Sequence, residues 1–98
     1  MRESEFQKEV IDDLKERLEG CVVIKTDPRY IQGLPDLLVL WNDLWVALEV
    51  KRSEKASLQP NQRWWVDRLN EMSYASIITP ETKEEVLDEI QYTLGVDW

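Results

Sequence analysis

Apolar residues recur with helical spacing over residues 3–19, ESEFQKEVIDDLKERLE. Phe6, Val10, Leu14 and Leu18 follow one another at i+4, and Ile11 widens the stripe. Ser4 and Gln7 have capping-box spacing, so the helix is predicted to begin at Ser4, and Gly20 to end it. Cys21-Val22-Val23-Ile24 then reads as a short buried strand, with Cys21 a small core residue. A polar loop, residues 26–33, follows. Beyond it lie two apolar runs, Leu37–Trp41 and Leu44–Leu48, joined by Asn42-Asp43. That pattern predicts a β-hairpin, and its nearly continuous hydrophobicity predicts a central place in a sheet covered on both faces.

The pattern changes period again after a polar segment, residues 52–60. Pro60 suits the first turn of a helix. Trp65, Leu69 and Met72 stand at i, i+4 and i+7, a stripe predicted to face the core, while Trp64 and Arg63 point elsewhere. Gln62 continues the stripe towards the helix start, as a boundary residue or as one that reaches a site. Tyr74–Thr79 reads as a further strand. Thr79-Pro80 reads as the cap and first position of a last helix, which runs to about Leu94 with Val86, Leu87, Ile90 and Leu94 inward and acids outward. The predicted order is α-β-β-β-α-β-α, an α/β fold with a central mixed sheet, forming one domain over residues 1–98.

Charge adds one feature to this frame. The 98 residues carry a formal net charge of −8, which taken alone argues against a generic nucleic-acid binder. Residues 51–72 are the exception, with five basic side chains (Lys51, Arg52, Lys55, Arg63, Arg68) against three acidic ones. Histidine is absent and Cys21 is the only cysteine. His-based nucleophile activation, His- or Cys-ligated zinc and an internal disulfide are therefore excluded. No apolar run has the length of a membrane span and the N-terminus is charged rather than signal-like, so a cytoplasmic protein is expected.

The chemistry collects at the end of the hairpin away from its turn. Antiparallel pairing sets the start of one strand beside the end of the next, so Asp36 is predicted to lie near Glu49 and Lys51. Glu49 and Lys51, two apart, share a face. Two carboxylates and a backbone carbonyl suit a hard cation such as Mg²⁺, with Lys51 beside it to position water or offset phosphoryl charge. A carboxylate from the first helix, such as Glu3, would complete that site or a second one. The plain alternative is a salt bridge of Lys51 with Glu49 or Asp36 at a sheet edge.

The residues Gly33-Leu34-Pro35-Asp36, Glu49-Val50-Lys51 and Leu58-Gln59-Pro60-Asn61-Gln62, followed by Trp65 and Leu69, resemble the VRR-NUC branch of the PD-(D/E)XK nuclease superfamily. The resemblance covers nearly the whole chain. It implies a restriction-endonuclease-like fold, metal binding by Asp36, Glu49 and the Val50 carbonyl, catalysis by Lys51 and support from Gln62. It also implies a first-helix glutamate as a metal ligand, Glu3 matching best and Glu5 next. Stand-alone members of this type look like virus- or prokaryote-encoded endonucleases acting on branched DNA, often as dimers. The expectation is therefore a Mg²⁺- or Mn²⁺-dependent endonuclease for structured DNA such as Holliday (four-way) junctions, a homodimer located in the cytoplasm (the host's, if virus-encoded). Arg52, Lys55 and Arg63 are its expected DNA contacts. Two rivals accompany it, a flap or nicking nuclease of the same fold and a non-enzymatic acidic DNA mimic. Trp41, Trp45 and the last helix are the candidate dimer surfaces.

Overall fold

In the computed structural model, which describes residues 1–95, the first helix α1 spans Glu3–Arg17. It begins one residue before Ser4. The Arg2 carbonyl accepts the N–H groups of Glu5 and Phe6 at 3.1 Å, so Ser4 lies inside the first turn and is not its cap. The helix ends at Arg17, before Gly20. The i+4 stripe does what the pattern predicts: Phe6, Val10, Leu14 and Leu18 are all buried. Burying each contributes about 1.5–3 kcal/mol.

The strands β1 (Val22–Lys25), β2 (Leu37–Trp41), β3 (Leu44–Val50) and β4 (Tyr74–Ile78) form one sheet in the order β1-β2-β3-β4. The β1–β2 and β2–β3 pairs are antiparallel, and β4 runs parallel to β3. A parallel pair needs a crossover, and α2 (Pro60–Met72) supplies it. The hairpin turns over Asn42-Asp43, with Asn42 at φ 54°, a left-handed conformation that asparagine tolerates.

Alternate residues of the strands face opposite layers. Leu37, Val39, Val46, Leu48 and Val50 pack with α1 and with α3 (Lys83–Leu94) in the main core. Ala47 and Ala75 face the other way and pack on Val66 of α2 in a smaller core. Arg17 ties α1 to α3 through Asp88 at 2.7 Å and Gln91 at 2.8 Å, and Lys83 returns to Asp13 at 2.7 Å. No helix among the described residues is long and apolar enough to cross a membrane.

Three expectations are corrected here. β1 is an edge strand, with Val22 and Ile24 exposed and only its other face against the core, so it is not a buried strand. On α2 the buried residue is Val66; Trp65 and Leu69 are half-buried and Met72 is exposed, because the helix covers β3 and β4 and leaves part of the sheet open. Finally, α3 starts at Lys83 with Thr82 as cap. Thr79 instead closes the preceding turn, its Oγ1 accepting the Thr82 N–H at 3.2 Å.

Candidate active site

The hairpin register pairs Leu37 with Leu48. One step further along the same ladder, Asp36 stands across from Glu49. Asp36 is fixed by its backbone and its side chain. Its carbonyl accepts the Thr26 N–H at 2.9 Å, and its carboxylate Oδ2 accepts the Val50 N–H at 2.9 Å. The approach to it is held by Thr26, whose hydroxyl donates to the Pro35 carbonyl at 2.7 Å. Gly33 makes the preceding bend at φ +89°, and a Cβ there would lie 2.7 Å from Asn61 Cγ and 3.0 Å from the Asn61 backbone carbon. A side-chain-free residue at 33 therefore lets the loop meet the start of α2.

Glu49 is 1% exposed. Its Oε2 accepts the Gln62 Nε2–H at 2.8 Å and lies 3.7 Å from Lys51 Nζ. Gln62 Oε1 accepts from Lys51 Nζ at 3.3 Å and from the Gln59 backbone N–H at 2.9 Å. The backbone donor fixes which end of the Gln62 amide is oxygen, so the nitrogen must face Glu49. One glutamine thus satisfies an orphan donor at the start of α2, presents an N–H to the acid and an oxygen to the lysine. The same side chain thus serves the helix boundary and contacts the Glu49–Lys51 pair.

Glu49 Oε1 is buried with no hydrogen-bond partner among the described residues. Burial first, then the nearby Asp36 carboxylate, push the Glu49 carboxyl up to about 8, against the pull of Lys51. A buried acid beside a second acid resists ionisation unless positive charge arrives. An orphaned oxygen and two adjoining carboxylates fit a hard divalent cation that keeps several waters.

Other expected residues fall differently. Glu3 is exposed in the first turn of α1, where the helix N-terminus favours acids. Glu5 is likewise exposed and paired with Arg2 at 2.9 Å. Among the described residues no three Asp, Glu, His or Cys side chains gather as a metal-holding group, so Glu3 does not join Asp36 and Glu49. Val50 lies between Glu49 and Lys51 at the end of β3, and the Lys51 N–H donates to Ile78 of β4 at 3.0 Å. Arg52 and Lys55 are exposed on the segment after Lys51 and make no ion pair among the described residues. Arg63 is exposed on α2 and pairs with Asp67 at 3.2 Å. Arg29 and Tyr30 are exposed on the earlier loop, Arg29 held by Asp27 at 3.1 Å.

Two features had no role assigned from the sequence. Gln59 and Asn61, quoted there only as motif residues, belong to the mount of the candidate site, the first through Gln62 and the second through Gly33; the Gln59–Gln62 spacing of three was the available signal. A cavity of about 270 Å³ also opens beside Lys51, lined by Ser53, Ala56, Leu58, Ile77, Thr79 and Thr82. It needed the β3–β4 pairing to form and left no local signal.

A solved structure described as a VRR_NUC domain protein superposes on this chain with a TM-score of 0.72. The match covers 98% of this chain and 90% of that one, at 18% sequence identity. No protein-family model and no curated protein matches the chain.

Proposed function

Starting from a VRR-NUC-type fold, we propose that this chain is a Mg²⁺- or Mn²⁺-dependent DNA endonuclease for branched or otherwise structured DNA, with four-way junctions the preferred class. The observation that carries the proposal is the convergence of Asp36, Glu49, Lys51 and Gln62, with one Glu49 oxygen buried and unpartnered.

Asp36 and Glu49, with the Val50 carbonyl, would hold the cation. When bound, it supplies neutralising charge for the phosphoryl group and a more acidic water. The reaction adds water across a phosphodiester: a P–O bond breaks, one end keeps the phosphate and the other becomes a hydroxyl. Lys51 contributes N–H donors and positive charge where negative charge develops on the phosphoryl oxygens. Gln62 holds Lys51 Nζ and Glu49 Oε2 in fixed relation, so neither side chain needs to reorganise during the reaction. Arg52 and Lys55 extend positive charge along the segment after Lys51 and are the proposed backbone-phosphate contacts, with Arg63 further along α2. An acidic DNA mimic has no need of a lysine and a glutamine on a buried glutamate.

The test is cleavage of labelled four-way junctions, flaps and nicked duplexes in Mn²⁺ by the wild type and Asp36→Ala. Junction cleavage by the wild type is expected, with loss of about 100-fold or more in the variant, the size typical of a group acting only in the transition state. Preferential flap or nick cleavage would keep the chemistry and change the substrate class. Equal activity in both proteins would overturn the proposal.

A further inference from the structure

Hydrolysis at Asp36, Glu49 and Lys51 leaves unused the cavity of about 270 Å³ that has Lys51 in its wall. One side of it is the segment after Lys51, through Ser53, Ala56 and Leu58; the other is the end of β4 and the turn into α3, through Ile77, Thr79 and Thr82. Both sides are held in shape. The Glu54 N–H donates to Glu81 Oε2 at 3.1 Å, and the Ala56 N–H to the Ser53 carbonyl at 3.2 Å. Across the gap, the Thr79 and Thr82 hydroxyls bond each other at 3.0 Å, and each accepts the other residue's N–H, at 3.1 and 3.2 Å. That closed set commits the threonine oxygens within the turn, so a ligand meets mainly their methyl groups. Ala56 and Leu58 are half-buried, and the apolar surface they bring to the cavity is part of neither core.

We propose that this cavity receives one nucleobase, from a nucleotide whose phosphate lies at Lys51, an assignment that rests on the nuclease reading and adds a base contact to it. Position supports a base. Lys51 Nζ has three donors and gives one to Gln62, so a phosphate can take another while the base of the same nucleotide turns into the space alongside. Wall chemistry supports it as well. A base has apolar faces and a polar edge. The alkyl groups of Ala56, Leu58 and Ile77 suit the faces, and the Ser53 hydroxyl and Glu54 carboxylate, both on lining residues, suit the edge. The same carboxylate opposes a phosphate as the occupant, since like charges repel. Size limits the occupant to a single ring system, because pockets for drug-sized ligands run from about 300 to 1,000 Å³. Taking a base out of its stack costs least where it is already unpaired. The pocket therefore favours DNA in which pairing is interrupted next to the cleaved bond.

Ala56→Phe fills the cavity, and Ser57→Phe, at an exposed neighbour that does not line it, is the control. The first readout is cleavage in Mn²⁺ of a four-way junction whose cleaved bond has been mapped, with the nucleotide on either side of that bond replaced in turn by an abasic residue. The wild type is expected to lose about tenfold with one of the two replacements, the size of one base contact. Ala56→Phe should lose about as much on the intact junction and match the wild type on that abasic one, which also shows that the variant folds. Ser57→Phe should follow the wild type on both. The second readout is the emission of 2-aminopurine in a single-stranded oligonucleotide bound in Ca²⁺, expected to change with the wild type and Ser57→Phe but not with Ala56→Phe. Cleavage indifferent to both abasic replacements, or an Ala56→Phe rate equal to the wild type on the intact junction, overturns the base pocket and leaves hydrolysis standing. No cleavage of any junction overturns hydrolysis, and the emission then decides the pocket: the same response from the wild type and Ala56→Phe overturns it.

Discussion

Glu49 shows what burial adds to a residue that the chain pattern already exposes as unusual. Period-two alternation puts it on one face with Lys51, and hairpin pairing puts it across from Asp36; both relations were readable without coordinates. Its unpartnered Oε1 was not, because the burial depends on α2 closing over the sheet. The consequence is a pH effect. With an ordinary value of 4.5 in the unfolded chain and about 8 in the folded one, Glu49 holds a proton in the native state that the unfolded state has released. Stability from this group is therefore fully present below about 4.5 and declines as pH rises towards about 8. Glu49→Gln keeps the shape without the titration. Urea unfolding without divalent metal is expected to show the variant gaining on the wild type by a few kcal/mol across that window, at about 1.4 kcal/mol per unit. Parallel pH profiles for the two proteins would contradict the assignment.

At the scale of elements, the hairpin and α2 form one mount, and Gly33 is where they touch. The strand pair was legible because two apolar runs flank a two-residue polar turn. The contact between the Gly33 bend and Asn61 was not, since it joins segments 28 positions apart. Gly33→Ala would add strain at positive φ and a Cβ at 2.7 Å from Asn61 Cγ. The expected cost is about 1–3 kcal/mol, read as a lower urea midpoint. Displacement of the start of α2 should also reduce cleavage, because Gln62 lies in that first turn. A variant with wild-type stability and activity would show that the loop and α2 are not coupled through this residue. Boundaries elsewhere were misread for local reasons. Thr79 and Thr82 stand three residues apart with the same side chain, and only the turn between them decides which one starts α3.

Across the whole molecule, sequence periodicity identified apolar faces correctly but could not tell which had a partner within one chain. β1 was expected to be buried and is an exposed edge; Met72 was expected in a core and stands open. β1 belongs to the half-sheet that α2 leaves bare and Met72 ends α2 at its border, so a single feature of layer coverage accounts for both differences. The site, by contrast, was mostly legible: Asp36, Glu49, Lys51 and Gln62 converge as their spacing and the family resemblance led one to expect. Only the first-helix acid fails to join them. Net charge opposes a nucleic-acid partner over most of this surface, so the proposed DNA contact requires local positive charge. Lys51 is a half-buried cation 3.7 Å from Glu49 Oε2.

The central claim is metal-dependent hydrolysis at this cluster, and the most direct measurement is the single-turnover cleavage rate of a four-way junction in Mn²⁺, in EDTA, and with Lys51→Ala. The account predicts cleavage in Mn²⁺, none in EDTA, and a rate lower by about 100-fold or more in the variant. Cleavage that persists in EDTA, or that is unchanged by Lys51→Ala, would contradict it.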